Sequence, residues 1–157
     1  MRAMIDPSDA LPSFQAALNS EEIRPQRAAL DPTVFVYQDQ NGRRLTYARL
    51  EGKTVKAIVV LANVEPIEGT PCFQIGYAVP EQFRRKGLAK VLVEAAIVEL
   101  KAGLARNGVP KLCIEAVVAA DNEASKRVAE QVLSKNTTPK TDKFSGVAAL
   151  QYVRHVG

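Results

Sequence analysis

A chain of 157 residues, 46% hydrophobic and 24% charged, is long enough to bury a core without disulfides or a structural metal and too apolar to be read as disordered. Its net charge of +4 favours an anionic ligand but falls short of the dense basic stripe of a dedicated nucleic-acid binder, so nucleic acid is not an expected partner. A single histidine, His155, argues against a multi-histidine metal site or a Ser-His-Asp machine, and the two cysteines, Cys72 and Cys113, lie in apolar runs without zinc or redox spacing. No metal is expected. The first twenty residues lack a signal-peptide pattern and no apolar run reaches membrane-spanning length, so we expect one cytoplasmic domain over residues 1–157.

In chain order, Asp6-Pro7-Ser8-Asp9 reads as a helix start, with Leu11, Phe14, Ala17 and Leu18 at helical spacing before Asn19-Ser20 ends the run. A second short helix is expected over residues 21–30, interrupted by Pro25. Residues 33–37 have strand composition, and the Asn41-Gly42 pair after them signals a turn. Residues 45–50 and 54–62 read as an antiparallel hairpin through Glu51-Gly52-Lys53, and residues 63–71, with Pro66, Gly69 and Pro71, as a loop. Residues 72–79 form a strand closed by Pro80. From Lys86 the positions Leu88, Val91, Leu92, Ala95, Ala96 and Leu100 trace a helix face that Asn107-Gly108-Val109-Pro110 terminates.

The nearly uninterrupted apolar run over residues 111–118 is the pattern of an internal strand buried on both faces. Strand, long helix and strand make a βαβ unit, so these two strands should be parallel. Asp121 or Asn122 caps a third helix that carries Val128, Ala129, Val132 and Leu133. A polar segment with a short strand over residues 134–145 and a final strand over residues 146–156 complete the chain.

The turn between the first parallel strand and the long helix carries most of the functional information. A helix N-terminus exposes unpaired backbone N–H groups and a partial positive charge, which suits a phosphate. Gly87 lets the backbone approach a ligand, and Arg84, Arg85, Lys86 and Lys90 crowd cations around a helix start, an unfavourable arrangement unless an anion sits there. Neither a Walker pattern nor a G-x-G-x-x-G follows any strand.

The run Arg84-Arg85-Lys86-Gly87-Leu88-Ala89 resembles the signature of the GNAT superfamily of acyl-CoA-dependent N-acyltransferases: Arg or Gln, two residues, Gly, one residue, then Gly or Ala. The preceding strand ending Tyr77-Ala78-Val79-Pro80, the long helix, the strand around Glu115 and the segment Asp121-Asn122-Glu123-Ala124-Ser125 follow in the family's order. Asn122, two residues, then Ser125 is similar to the branch that includes ribosomal-protein N-terminal acetyltransferases. The resemblance covers roughly residues 44–154. It implies an α/β (α+β) fold in which a single domain holds a mixed, mainly antiparallel, twisted sheet with helices on both faces and a V-shaped split between two central parallel strands.

The same resemblance implies an acetyltransferase that moves an acetyl group from acetyl-CoA to a primary amine, a peptide N-terminus or a small amine, by direct attack in a ternary complex. Arg84, Arg85, Lys86, Gly87, Leu88 and Ala89 would hold the CoA pyrophosphate, Tyr77, Ala78 and Val79 would pair by backbone with the pantetheine arm, and Asn122 and Ser125 would lie near the sulfur. Many relatives carry a Tyr seven residues after this Asn as the thiolate's acid; here that position is Ala129. Ser125 is the replacement candidate, because a hydroxyl can donate to a developing thiolate. Glu115 interrupts an apolar strand and is the candidate base, acting through water, against a reading as a partly exposed structural residue. Gln151 and Tyr152 read as packing or substrate-wall residues and His155 as a surface side chain. The alternative is a non-catalytic acyl-CoA-binding or regulatory module of the same fold, which the loss of the Tyr favours; an RNA-binding role for the basic turn is a third reading. A homodimer is compatible with all of them.

Overall fold

The computed structural model describes residues 7–39, 42, 44–141 and 146–157. The first element is α1 (Pro7–Asn19), followed by strands β1 (Gln26–Arg27), β2 (Val34–Gln38), β3 (Arg44–Glu51), β4 (Thr54–Ile67) and β5 (Thr70–Ala78). A 3-10 turn (Glu81–Phe83) leads to α2 (Leu88–Arg106), then β6 (Leu112–Ala119), α3 (Glu123–Val132), β7 (Thr137–Thr141) and β8 (Ala148–Val156). The strands form one sheet in the order β1-β2-β3-β4-β5-β6-β8-β7. Every neighbouring pair is antiparallel except β5 and β6, which are parallel as a βαβ unit requires.

The two faces of the sheet follow from strand alternation. Ile75 and Tyr77 of β5, Leu112, Ile114, Ala116 and Val118 of β6 and Tyr152 of β8 share a core with Leu92, Ala96 and Ile97 of α2 and Ala129 and Val132 of α3. The opposite face of β3 and β4 presents Ala48, Ile58 and Val60, with Ala78 of β5 packed beside them, to Phe14 and Leu18 of α1. Helices thus cover both faces. Truncating a fully buried side chain such as Leu92 costs about 2–5 kcal/mol.

Three expectations are corrected. Residues 21–30 do not form a helix: Glu21, left-handed at φ 60°, ends α1 with its own N–H on the Leu18 carbonyl and that of Glu22 on the Ala17 carbonyl, a Schellman closure. The chain then pairs as β1 against β2, since Pro25 withdraws a donor that a helix would need. Residues 63–71 are not a loop either. β4 runs to Ile67 and turns through Glu68 and Gly69, both at positive φ (49° and 79°), straight into β5. Pro66 is tolerated because the register shifts between Val64 and Ile67, where the ladder needs no donor from it. The third correction is small: α2 begins at Leu88 and not at Lys86, leaving residues 84–87 as a turn.

Asn41 of the expected Asn-Gly turn and residues 142–145 of the polar segment lie outside the described residues; Gly42 donates its N–H to the Asp39 carbonyl at 3.0 Å. No helix among the described residues is long and apolar enough to cross a membrane. Among the described residues no group of three or more His, Cys, Asp or Glu side chains is placed to hold a metal ion.

Candidate active site

The turn at residues 84–87 is built to present backbone donors. Arg85 sits at φ 66° and Gly87 at φ 74°, so two left-handed residues flank Lys86 immediately before α2. For Arg85 that conformation costs on the order of 1–2 kcal/mol, which its surroundings must hold in place. A Cβ at Gly87 would meet no protein atom within 4 Å, so the glycine is needed for its backbone angle, and the space above it is left open. No side chain caps α2 and no acidic residue lies in its first turn. Its leading N–H groups therefore face outward among Arg84, Arg85, Lys86 and Lys90, all exposed, while Leu88 and Ala89 turn their side chains into the core.

Arg84 folds back, donating from Nε to the Val79 carbonyl at 2.9 Å, and so ties the turn to the end of β5. Lys56 reinforces the approach: its ammonium lies 4.4 Å from the Phe83 ring centroid and 2.8 Å from a Glu51 carboxylate oxygen.

Beyond this turn the sheet opens. β5 and β6 pair only at Cys72–Cys113, Phe73–Ile114 and Gln74–Glu115; past that point β5 bonds only to β4, and β6 only to β8. The expected split between the parallel strands is thus present, with its fork at Gln74 and Glu115.

On the α1 side of the fork three polar side chains meet. Glu115 is fully buried and accepts hydrogen bonds from Gln74 Nε2 at 3.3 Å and Gln151 Nε2 at 2.8 Å, one on each carboxylate oxygen. The reading of Glu115 as partly exposed is corrected. Two amide donors instead satisfy a carboxylate that would otherwise be costly at this depth.

On the α2 and α3 side, Tyr77 Oη donates to the Ser125 carbonyl at 2.6 Å, bridging β5 to α3 across the opening. Burial pushes the Tyr77 phenol well above its ordinary value, with a further contribution from Tyr152, so it stays a neutral donor. Asn122 caps α3, its Oδ1 accepting the Ser125 N–H at 3.1 Å. The Ser125 hydroxyl has no partner among the described residues and stands half-buried in the first turn of α3. Ala129, one turn on, is fully buried against the core. Tyr152, also fully buried, has a hydroxyl without a partner among the described residues.

The sequence-derived candidates therefore sort by place. Residues 84–87 form the cationic turn and Leu88 and Ala89 open α2; Tyr77 and Ala78 end β5, paired with β4 and not with β6, and Val79 follows them; Asn122 and Ser125 stand at the start of α3, all around the split. Glu115 lies at its root on the opposite face. The residue missed was Gln74; its signal was a polar side chain at an inward position of an apolar strand, in register with Glu115. Cys113, whose Sγ lies 3.2 Å from His155 Nδ1, is buried, and that burial pushes its thiol up, which disfavours a thiolate nucleophile. His155 is exposed as expected.

A sequence model of the acetyltransferase (GNAT) family matches residues 11–133 of the chain. None of the curated proteins matches it by sequence. Among solved structures, a GNAT-family acetyltransferase from Streptococcus pneumoniae superposes with a TM-score of 0.57 at 14% identity, covering 98% of this chain and 97% of that one. Arabidopsis thaliana NAA60 in complex with a bisubstrate analogue gives 0.56 at 16% identity, with 98% and 97% covered. The Salmonella typhimurium acetyl transferase that modifies the N-terminal serine of a 50S ribosomal subunit protein gives 0.53 at 18% identity, with 99% and 94% covered.

Proposed function

The chain belongs to the GNAT family of acetyltransferases, and from that premise we propose that it transfers the acetyl group of acetyl-CoA to a primary amine by direct attack within a ternary complex. The observation that carries this reading is the parting of β5 and β6 after Gln74 and Glu115, with the cationic turn at one mouth of the opening and the α3 N-terminus at its other wall. Acetyl-CoA is the donor substrate, and its pyrophosphate fits the backbone donors of residues 84–89, with Arg85 and Lys90 adding charge. Tyr77 and Ala78 at the end of β5, with Val79 after them, are assigned to the pantetheine arm through their backbone.

Attack requires a neutral amine beside the thioester carbonyl, a donor for the developing oxyanion and an acid for the leaving thiolate. The Val79 N–H is assigned to the oxyanion. Ser125 Oγ, without a partner among the described residues, donates to the thiolate in place of the Tyr that many relatives carry where this chain has Ala129. Glu115, at the root of the split, is assigned the amine proton, relayed to it through one water that enters with the substrate. The buried Cys113, pushed away from its thiolate form, supports a reaction without an acyl-cysteine. Two buried free thiols fit a reducing compartment such as the cytoplasm.

A specific observation favours the binding-module reading: Ala129 stands where many relatives carry their acid. The test is to incubate the protein with acetyl-CoA, a thiol reporter and a panel of amines and peptides with free N-termini. Release of CoA only with an amine supports transfer; tight acetyl-CoA binding without turnover on any amine supports the module.

A further inference from the structure

Gln151 lies on β8 opposite Val117 of β6, two residues past the fork and on the same face as Glu115. A free glutamine amide can rotate to show either its donor or its acceptor. Here Nε2 is committed to the buried Glu115 carboxylate at 2.8 Å, which removes that choice. The carboxylate is itself held by Gln74 on its other oxygen, so it cannot swing to release Gln151. The Gln151 carboxamide oxygen has no partner among the described residues and is not among their buried orphaned polar atoms, so it reaches solvent from a half-buried side chain. A charge-assisted bond at the nitrogen draws electron density toward that oxygen and strengthens it as an acceptor.

We propose that Gln151 is the acceptor-binding residue of this enzyme: its carboxamide oxygen, oriented by Glu115 and Gln74, receives an N–H of the incoming primary amine and holds its lone pair toward the split between β5 and β6. This deepens the acetyl-transfer reading and rests on it. The arrangement discriminates by chemistry. An acceptor-only group over a buried carboxylate welcomes an N–H donor and repels a carboxylate or phosphate at the same point. Gln151 and Glu115 divide the work, the first orienting the amine and the second drawing off its proton, whereas Gln74 is a positioning residue that acts through Glu115.

The test is steady-state kinetics of Gln151→Met, which keeps the length of the side chain and removes the amide, with the amine that the wild type acetylates fastest. Loss of the hydrogen bond between the carboxamide oxygen and the amine N–H predicts a rise of about fivefold in the amine KM, with acetyl-CoA affinity by calorimetry within about twofold of wild type. If Gln151→Met does not fold, Gln151→Thr, suited to a strand and too short to reach Glu115, carries the same prediction. An unchanged amine KM overturns the assignment while leaving acetyl transfer standing, and so does an equal loss of acetyl-CoA affinity, which marks a merely structural role. A wild type that acetylates no amine removes the functional reading and this assignment with it.

Discussion

Tyr77 shows how one side chain connects folding to the site. Its ring fills the core under α3 while its hydroxyl spans the opening to the Ser125 carbonyl at 2.6 Å. Tyr77→Phe keeps the ring and removes the bridge, and should cost about 0.5–1.5 kcal/mol in urea unfolding. The role proposed for the adjoining Ser125 is one of chemistry and not of binding. Ser125→Ala should lower kcat by about 10²-fold with acetyl-CoA affinity unchanged, since the serine's backbone, and not its hydroxyl, joins the Asn122 cap.

Burial raises the phenols of Tyr47, Tyr77 and Tyr152, that of Tyr47 to about 12 from 10.0. A raised phenol is protonated in the fold after the unfolded chain has begun to lose its proton. The stability it supplies is therefore complete below the unfolded value and is lost as pH rises through the folded ones. The Cys113 thiol, raised by the same burial, adds a shallower loss that starts near its unfolded value, so urea midpoints should ease down from about pH 8.5 and fall more steeply above about pH 10; a midpoint flat to pH 11 would contradict the burial of these groups.

At the scale of elements, what was legible in the sequence was whatever patterning alone dictates. β6 announced itself as a strand buried on both faces through its apolar run, α2 through its periodic face, and the turn before it through Gly87 and its cations. Elements decided by backbone detail were not legible. Pro66 and Pro71 read as loop residues, yet a register shift and a Glu68-Gly69 turn absorb them into a continuous hairpin. Residues 21–30 carried helix-forming residues, but a left-handed Glu21 had already closed α1. The site divided in the same way. The half proposed to hold the donor follows the chain locally, from Tyr77 through Ala89, while the polar cluster of Gln74, Glu115 and Gln151 joins three strands distant in sequence and exists only in register. The turn itself gives an element-scale prediction. Gly87→Val forces a β-branched residue to φ 74° and should weaken acetyl-CoA binding at least tenfold by calorimetry, since it displaces the leading donors of α2.

For the whole molecule, the sheet is one continuous frame in which α2 and α3 line one face of the split and the buried carboxylate lies on the other. Under the proposed reading that arrangement would keep donor and acceptor on separate faces and let them meet at the fork, as direct transfer needs. A ligand that seats in the split should also stabilise the fold. At about 100 times its Kd, acetyl-CoA adds about 2.7 kcal/mol, seen as a concentration-dependent rise in Tm.

Under the proposed mechanism both substrates meet in this split and the acetyl group passes directly between them. The most direct measurement is initial-rate kinetics with acetyl-CoA and amine varied together, alongside mass spectrometry of amine and protein. Direct transfer gives intersecting double-reciprocal lines, one CoA released per amine acetylated, and no acetylated protein. Parallel lines with an acetylated cysteine, or acetyl-CoA bound tightly with no CoA released to any amine, would contradict it.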